Sequence, residues 1–323
     1  MAINFGPLRR LVLGVSIEIM DKFWDAHNRP NTQAKQELRH TSNALLESYN
    51  QAIELGLSPE LRDRLLDYDT DLQGFAHKGA GMGLIFLDFL SPGGTSRFHD
   101  FINEYPQHIN LIHVGAGIAM WVLKKDIEKT LAVMPPLSRW WAMDGFGFYD
   151  GVSNWRKSLD KHLVPNRVQG YAKRAYDQGL GRSIWFLYNT DIDGIVNHIH
   201  QFPVFRHGDL WSGVGLASTY TGGVEAATLN QLRTASGDHA LDVAVGSALA
   251  ANARYLADNI VPHTELACSM LCDRSAVESA QLTLAILEKL PVDSQESVTV
   301  ELPVYETYRR QLRQQLGVVE AIA

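Results

Sequence analysis

Gln73-Gly74-Phe75-Ala76-His77-Lys78 returns 96 residues later as Gln169-Gly170-Tyr171-Ala172-Lys173-Arg174. The same register pairs Gly83-Leu84 with Gly179-Leu180. Gly115-Ala116-Gly117 pairs with Gly213-Val214-Gly215, and Met143-Asp144 with Leu241-Asp242, both at an offset of 98. Val164-Pro165 matches Val261-Pro262 at 97. Blocks in one order at nearly one offset point to an internal tandem duplication of about 97 residues, whose copies bury their apolar faces on each other. The expected division is an N-terminal helical segment over 1–67, a first repeat over 68–164 and a second over 165–261. C-terminal helices over 262–323 would begin a partial third repeat.

The pattern inside these blocks is helical, so the expected fold class is all-α. Ser58-Pro59 reads as an N-cap followed by proline at the first helical position, with Leu61, Leu65 and Leu66 on one face. Thr190-x-x-Asp193 precedes an Ile192, Ile195, Val196, Ile199 stripe, and Ser275-x-x-Glu278 is a capping box. Period-two alternation is scarce. The best stretch, Val298 to Val304, contains Pro303 and reads equally as an extended linker to a last helix over about Tyr305 to Leu316. Glycines recur where helices should lie, at Gly79, Gly81, Gly83, Gly115, Gly117, Gly145, Gly147, Gly213 and Gly215. Each costs about 1 kcal/mol relative to alanine in a helix, so close approach of a neighbouring helix or a ligand is expected there.

The 323 residues are 46% hydrophobic and carry a formal net charge of −7, an acidic balance that argues against a nucleic-acid surface. Arg9-Arg10-Leu11-Val12-Leu13-Gly14-Val15 resembles the start of a signal peptide, but the apolar run stops at Glu18 with no cleavage site. Met82 to Leu90 is too short to cross a bilayer and contains Asp88. Cys268 and Cys272 would lie one turn apart on a helix, poorly placed to bond to each other. A cytoplasmic location is expected, with membrane association only through a partner.

Several familiar chemistries are missing from the pattern. Gly79-Ala80-Gly81-Met82-Gly83 lacks the lysine and hydroxyl residue of a phosphate loop. Asp67-Tyr68-Asp69-Thr70-Asp71 opens like a calcium loop, but Leu72 and Lys78 stand where glycine and glutamate are needed. His198 and His200 would point to different sides of a helix and, with His207, read as a polar patch. Cys268 and Cys272 with His263 and Glu265 give no clear set of four metal ligands. There is no G-x-S-x-G, H-E-x-x-H or D-D-x-x-D sequence. No metal site is expected, and no cofactor is indicated.

Polar groups embedded in aromatic, small-residue helices remain as candidates. They are His113, Asp144, Asp177, Arg182 and Asp209 for acid–base or polar-group work. Trp141, Phe148, Tyr149, Trp185 and Trp211 could line a binding site. Burying such charges costs several kcal/mol unless they pair, so they form either structural Asp–Arg and His–Asp networks or the polar groups of an apolar pocket. Their convergence near the repeat interface is the expectation tested below.

These same stretches carry a resemblance. His113 to Gly117, Asp144 to Gly151, Gln169 to Phe186, Asp209 to Gly223 and Pro262 to Cys272 resemble the bacterial domain-of-unknown-function 1702 family, the UnbL-type enediyne biosynthesis proteins. The most specific segments are Asp177-Gln178-Gly179-Leu180-Gly181-Arg182-Ser183 and Asp209-Leu210-Trp211-Ser212-Gly213-Val214-Gly215-Leu216-Ala217. Tyr149 and Asp150 stand where that family leads one to expect a His-Glu pair. The resemblance implies a role in an enediyne-like or polyketide-derived natural-product pathway beside iterative polyketide synthases. It also implies an integral-membrane protein partner and a hydrophobic polyene substrate. Two functions follow as alternatives. One is modification of the polyene, with His113 as acid–base group and Asp144, Asp177 and Arg182 orienting it. The other is a non-catalytic protein that binds the polyene or docks on the membrane partner.

Overall fold

A computed structural model describes residues 5–27, 32–91, 96–292 and 296–318. These residues form eighteen α-helices, two one-turn 3-10 helices at Pro106–His108 and Gly237–His239, and no strand. The chain begins with α1 (Gly6–Leu13), α2 (Ile19–Ala26), α3 (Gln33–Leu55) and α4 (Pro59–Leu66). It continues through α5 (Gln73–Leu90), α6 (Arg97–Glu104), α7 (Ile109–Val122), α8 (Ile127–Ala132) and α9 (Arg139–Ser153). Next come α10 (Trp155–Ser158), α11 (Ala172–Tyr188), α12 (Ile192–Ile199), α13 (Val204–Thr221) and α14 (Ala226–Ala235). The last are α15 (Ala240–Leu256), α16 (Pro262–Cys272), α17 (Ala276–Leu287) and α18 (Val304–Leu316).

Local signals work as their chemistry dictates, with small shifts. The Ser58 hydroxyl accepts from the Leu61 N–H at 3.3 Å, and Ser275 and Glu278 close a reciprocal capping box. At α12 the cap is Asp191, whose carboxylate accepts from Gly194 N–H at 3.1 Å. Thr190 instead takes a positive φ of 69°. Residues 298–303 hold turns and bends and Val304 already starts α18, so the strand reading fails there. Cys268 and Cys272 are buried on α16 and unbonded to each other.

The long helices α3, α5, α7, α9, α11, α13 and α15 pack each on the next in chain order. Glycine makes this stacking possible. In α7, a Cβ on Gly115 would lie 2.1 Å from the Lys78 carbonyl oxygen of the preceding helix. One on Gly117 would lie 1.7 Å from the Ala142 carbonyl oxygen of the following helix. Two helix positions two residues apart face about 200° apart, so a G-x-G pair admits a close neighbour on each side. The arrangement recurs at Gly145 and Gly147, Gly179 and Gly181, and Gly213 and Gly215: the first glycine meets the helix before, the second the helix after. Gly79 and Gly81 do the same in α5, and Gly246 meets α13 from α15.

This packing advances in steps of 30 to 36 residues, counted from Gly79 through Gly115, Gly145, Gly179 and Gly213 to Gly246. An offset of 96–98 therefore spans about three steps. Gly115 and Gly213 do take equivalent places. Gly179, however, corresponds to Gly79 and lies a turn out of step with Gly83, while Asp144 corresponds to Val245 and lies a turn out of step with Asp242. Sequence matching between glycine-rich helices slips by a turn because one face recurs every three to four residues. The unit seen in the packing is one helix step, and one apolar cluster runs from Met20 to Leu312 across all four expected segments.

The identical step repeated curves the stack, as it does in solenoids, and brings its ends together. Phe75 of α5 meets Tyr220 of α13 with ring centroids 5.2 Å apart. Arg254 of α15 donates to the Asp71 carbonyl at 2.9 Å, and Asn259 to the Thr70 carbonyl at 3.1 Å, both just before α5. The Trp24 indole N–H on α2 donates to the Phe186 carbonyl of α11 at 3.0 Å. The long helices thus surround an axis.

Candidate functional site

The side chains that face this axis follow the glycine register. The residue before the first glycine of each pair is Lys78, Val114, Asp144, Gln178 or Ser212, and Val245 precedes Gly246 but faces outward beside Asp242 and Arg309. One turn later come Met82, Ile118, Phe148, Arg182, Leu216 and Leu249. The first five of this second set line a central cavity of about 50 Å³, together with Thr41, Ser42, Leu45 and Leu46 of α3 and Phe75, Lys78, Tyr149, Val152 and Tyr220. Arg182 and Leu216 also border an adjoining space with Val114, Trp141, Leu249 and Ala253. Val15, Ile19 and Met20 close one side of the cavity. That N-terminal strap is held by the Tyr49 hydroxyl on the Leu13 carbonyl at 2.9 Å and by Asn50, paired with both backbone groups of Val15.

Two basic side chains interrupt this apolar lining. Lys78 is 2% exposed, and its Nζ sits 4.6 Å from the centroid of the Phe148 ring. It has no hydrogen-bond acceptor or carboxylate partner among the described residues. Burial drives its amine well below the usual lysine range; Arg182 pushes the same way and Asp144 opposes. Arg182 lies 5.2 Å from the same Phe148 ring. It pairs with Asp144 of α9, whose other oxygen accepts from the Gln178 amide at 3.0 Å. Gln178 exchanges hydrogen bonds with the Tyr305 hydroxyl of α18 at 3.2 and 3.3 Å. The Nε of Arg182 is buried without an acceptor among the described residues, an arrangement that costs free energy unless a bound group supplies one.

The expected five polar residues do not form one site. Asp144 and Arg182 meet at the central cavity. Asp177 lies on α11 in a bidentate pair with Arg206 at 2.9 and 2.5 Å, and Arg206 also donates to the His162 carbonyl. Burial pushes the Asp177 carboxyl up to about 6 against the pull of Arg206. Asp209 accepts from Arg174 at 2.8 and 3.1 Å and from Arg309 at 2.7 Å. Burial works against that carboxylate, yet Arg309 and Arg174 hold it below its usual range. Glu306 joins the same network through Arg174, Arg310 and the Tyr171 hydroxyl, and so fastens α18 to α11 and α13. His113 stands apart on an outer cleft with Asp88, Phe98 and His99. Its Nδ1 lies 2.8 Å from the Ile109 carbonyl, Phe98 meets its ring edge-on, and burial lowers it to about 4. His113 is thus held neutral on a cleft apart from the central cavity, Asp144 and Arg182. The separation follows from helix geometry, since adjacent residues of one helix, such as Asp177 and Gln178, face about 100° apart.

Of the expected aromatic residues, Phe148 and Tyr149 line the central cavity and Trp141 the adjoining space. Trp185 and Trp211 are buried and line neither. Lys78 was not among the candidates. Its signal lay in the sequence: a lysine in a run of small and apolar residues from Gly79 to Phe86, with no acid within four positions. Gln178 and Tyr305 had no such signal, because a neutral polar residue is ordinary on either face of a helix.

No group of three or more histidine, cysteine, aspartate or glutamate side chains that could hold a metal occurs among the described residues. No helix among them is long and apolar enough to cross a membrane. No curated protein and no solved structure matches the chain. Residues 4–316 match the family described as "Protein of unknown function (DUF1702)", and the chain belongs to that family.

Proposed function

We propose that the protein takes a hydrophobic, polyketide-derived polyene into its central cavity as a step in an enediyne-like natural-product pathway. The observation that carries this reading is an apolar space at the axis of the helical stack with two buried basic side chains, Lys78 and Arg182, at its wall. Ligand sites combine an apolar lining with a few placed polar groups in this way. The cavity of about 50 Å³ holds a few water molecules, each needing roughly 10–15 Å³. A chain-like ligand therefore enters by displacing the strap at Val15, Ile19 and Met20.

Diphenylhexatriene, a neutral polyene that brightens in apolar surroundings, tests this. Saturable fluorescence is expected with the unaltered protein and should vanish in Leu216→Trp, which fills the cavity. Equal binding by both proteins, or none by either, overturns the reading. A second reading, docking on an integral-membrane partner, is favoured by α1, where Leu8, Leu11 and Val12 are exposed beside Phe5. If that surface is the working one, Leu8→Ser with Leu11→Ser abolishes capture of the partner and leaves polyene binding intact.

A further inference from the structure

We propose that Lys78 condenses with the aldehyde carbonyl of a hydrophobic ligand held in the central cavity, forming an imine. This rests on the cavity being the ligand site. Lys78 places a primary amine at the wall of an apolar space, 4.6 Å from the Phe148 ring centroid and without a carboxylate of its own. The titratable or charged groups around it are Arg182 of α11, Asp144 of α9, and Tyr149 and Tyr220 on the same cavity. Asp144 is already bound to Arg182 and Gln178. The amine is thus left as a nucleophile, since desolvation and a neighbouring cation both favour the neutral, reactive form of a lysine.

A carboxylate ligand fits less well. It would require Lys78 to be protonated among apolar side chains, with Arg182 already committed to Asp144. A carbonyl needs no charge on either partner. In the reaction a bond forms between Nζ and the carbonyl carbon, and the carbonyl C–O bond breaks. Both amine protons end on the departing oxygen, which leaves as water, and no oxidant or reductant is consumed.

Decadienal, a ten-carbon conjugated aldehyde, is the probe. The protein is incubated with it at pH 7, reduced with borohydride, and analysed as intact protein and as peptides. Diphenylhexatriene displacement is followed in parallel. One adduct per chain is expected, of mass one ligand less one oxygen atom, on the peptide containing Lys78. It should be absent from both Lys78→Arg and Lys78→Met, which lack the amine, while the circular dichroism of each variant shows that it still folds. Displacement without an adduct, or adducts spread over other lysines at the rate seen in Lys78→Met, overturns the imine and leaves the cavity reading standing. Failure of diphenylhexatriene to bind any of these proteins overturns the cavity reading and the imine with it.

Discussion

Lys78 and Arg182 carry opposite consequences for stability although they share one cavity. The unfolded Lys78 amine is protonated up to about pH 10, whereas burial depresses its affinity for a proton in the folded chain. A depressed folded pKa means that its contribution to stability is complete only above the unfolded value and is lost as pH falls. Lys78→Met should therefore stabilise the protein at pH 7. Urea unfolding at pH 7 and pH 9.5 checks this, and the gain should shrink at the higher pH. Arg182→Met should instead destabilise by about 3–5 kcal/mol, because Asp144 would keep a buried charge without its cation. The double variant Arg182→Met with Asp144→Leu should recover most of that loss. If the double variant is as unstable as the single, the pair is not coupled as the structure indicates.

Each long helix is held by what its glycines lack. Gly115 and Gly213 face the preceding helix with carbonyl oxygens 2.1 and 1.9 Å from where a Cβ would stand. Backbone cannot retreat as a flexible side chain can, so the helices themselves must part. Gly115→Leu or Gly213→Leu should cost about 1–3 kcal/mol or more, read as a lower melting temperature. Gly170, at a positive φ of 56° with open space around its Cβ position, makes an informative contrast. Gly170→Asn tolerates that backbone and should leave packing untouched. Equal stability of the two core variants with the unaltered protein would remove the close-packing account. The strap before α3 is a weaker element, tied through a few hydrogen bonds of Tyr49 and Asn50. Tyr49→Phe removes one of these and should speed polyene entry more than it lowers stability, which stopped-flow fluorescence would show.

The whole molecule should be acid-sensitive in a defined window. Burial lowers His77, His113 and His263 to about 4 and His108 to about 3. In the unfolded chain each takes a proton near pH 6.5. Stability is therefore complete above about 6.5 and declines as pH falls towards 4, by up to about 1.4 kcal/mol per pKa unit for each histidine. Asp177, raised to about 6, contributes with the opposite sign: its part is complete below the usual carboxylate range and is lost as pH rises through 6. The histidines outnumber it, so a net loss is expected on acidification. Unfolding midpoints measured from pH 7 to 4 check this, and His113→Phe should flatten the slope without affecting polyene binding.

By itself the sequence determined the helical class, the starts of α4 and α17 and the places where helices approach. Period, caps and glycine act over a few residues and are readable without knowing the neighbours. The G-x-G pairs at Gly115 and Gly213 announced close contacts, and Asp144 and Arg182 stood out as charges in apolar helices that must find partners. Only the tertiary structure decided who those partners are. Asp177 pairs with Arg206 rather than Arg182, Asp209 serves the α18 anchor, and His113 faces an outer cleft. Half a turn of rotation about a helix axis moves a side chain from the cavity to the outside, and sequence spacing fixes that rotation only relative to its own helix. Lys78 belongs to the central cavity for the same reason: its own segment shows that it is buried, while curvature accumulated over four further helix steps brings Phe148, Arg182 and Tyr220 around the same space.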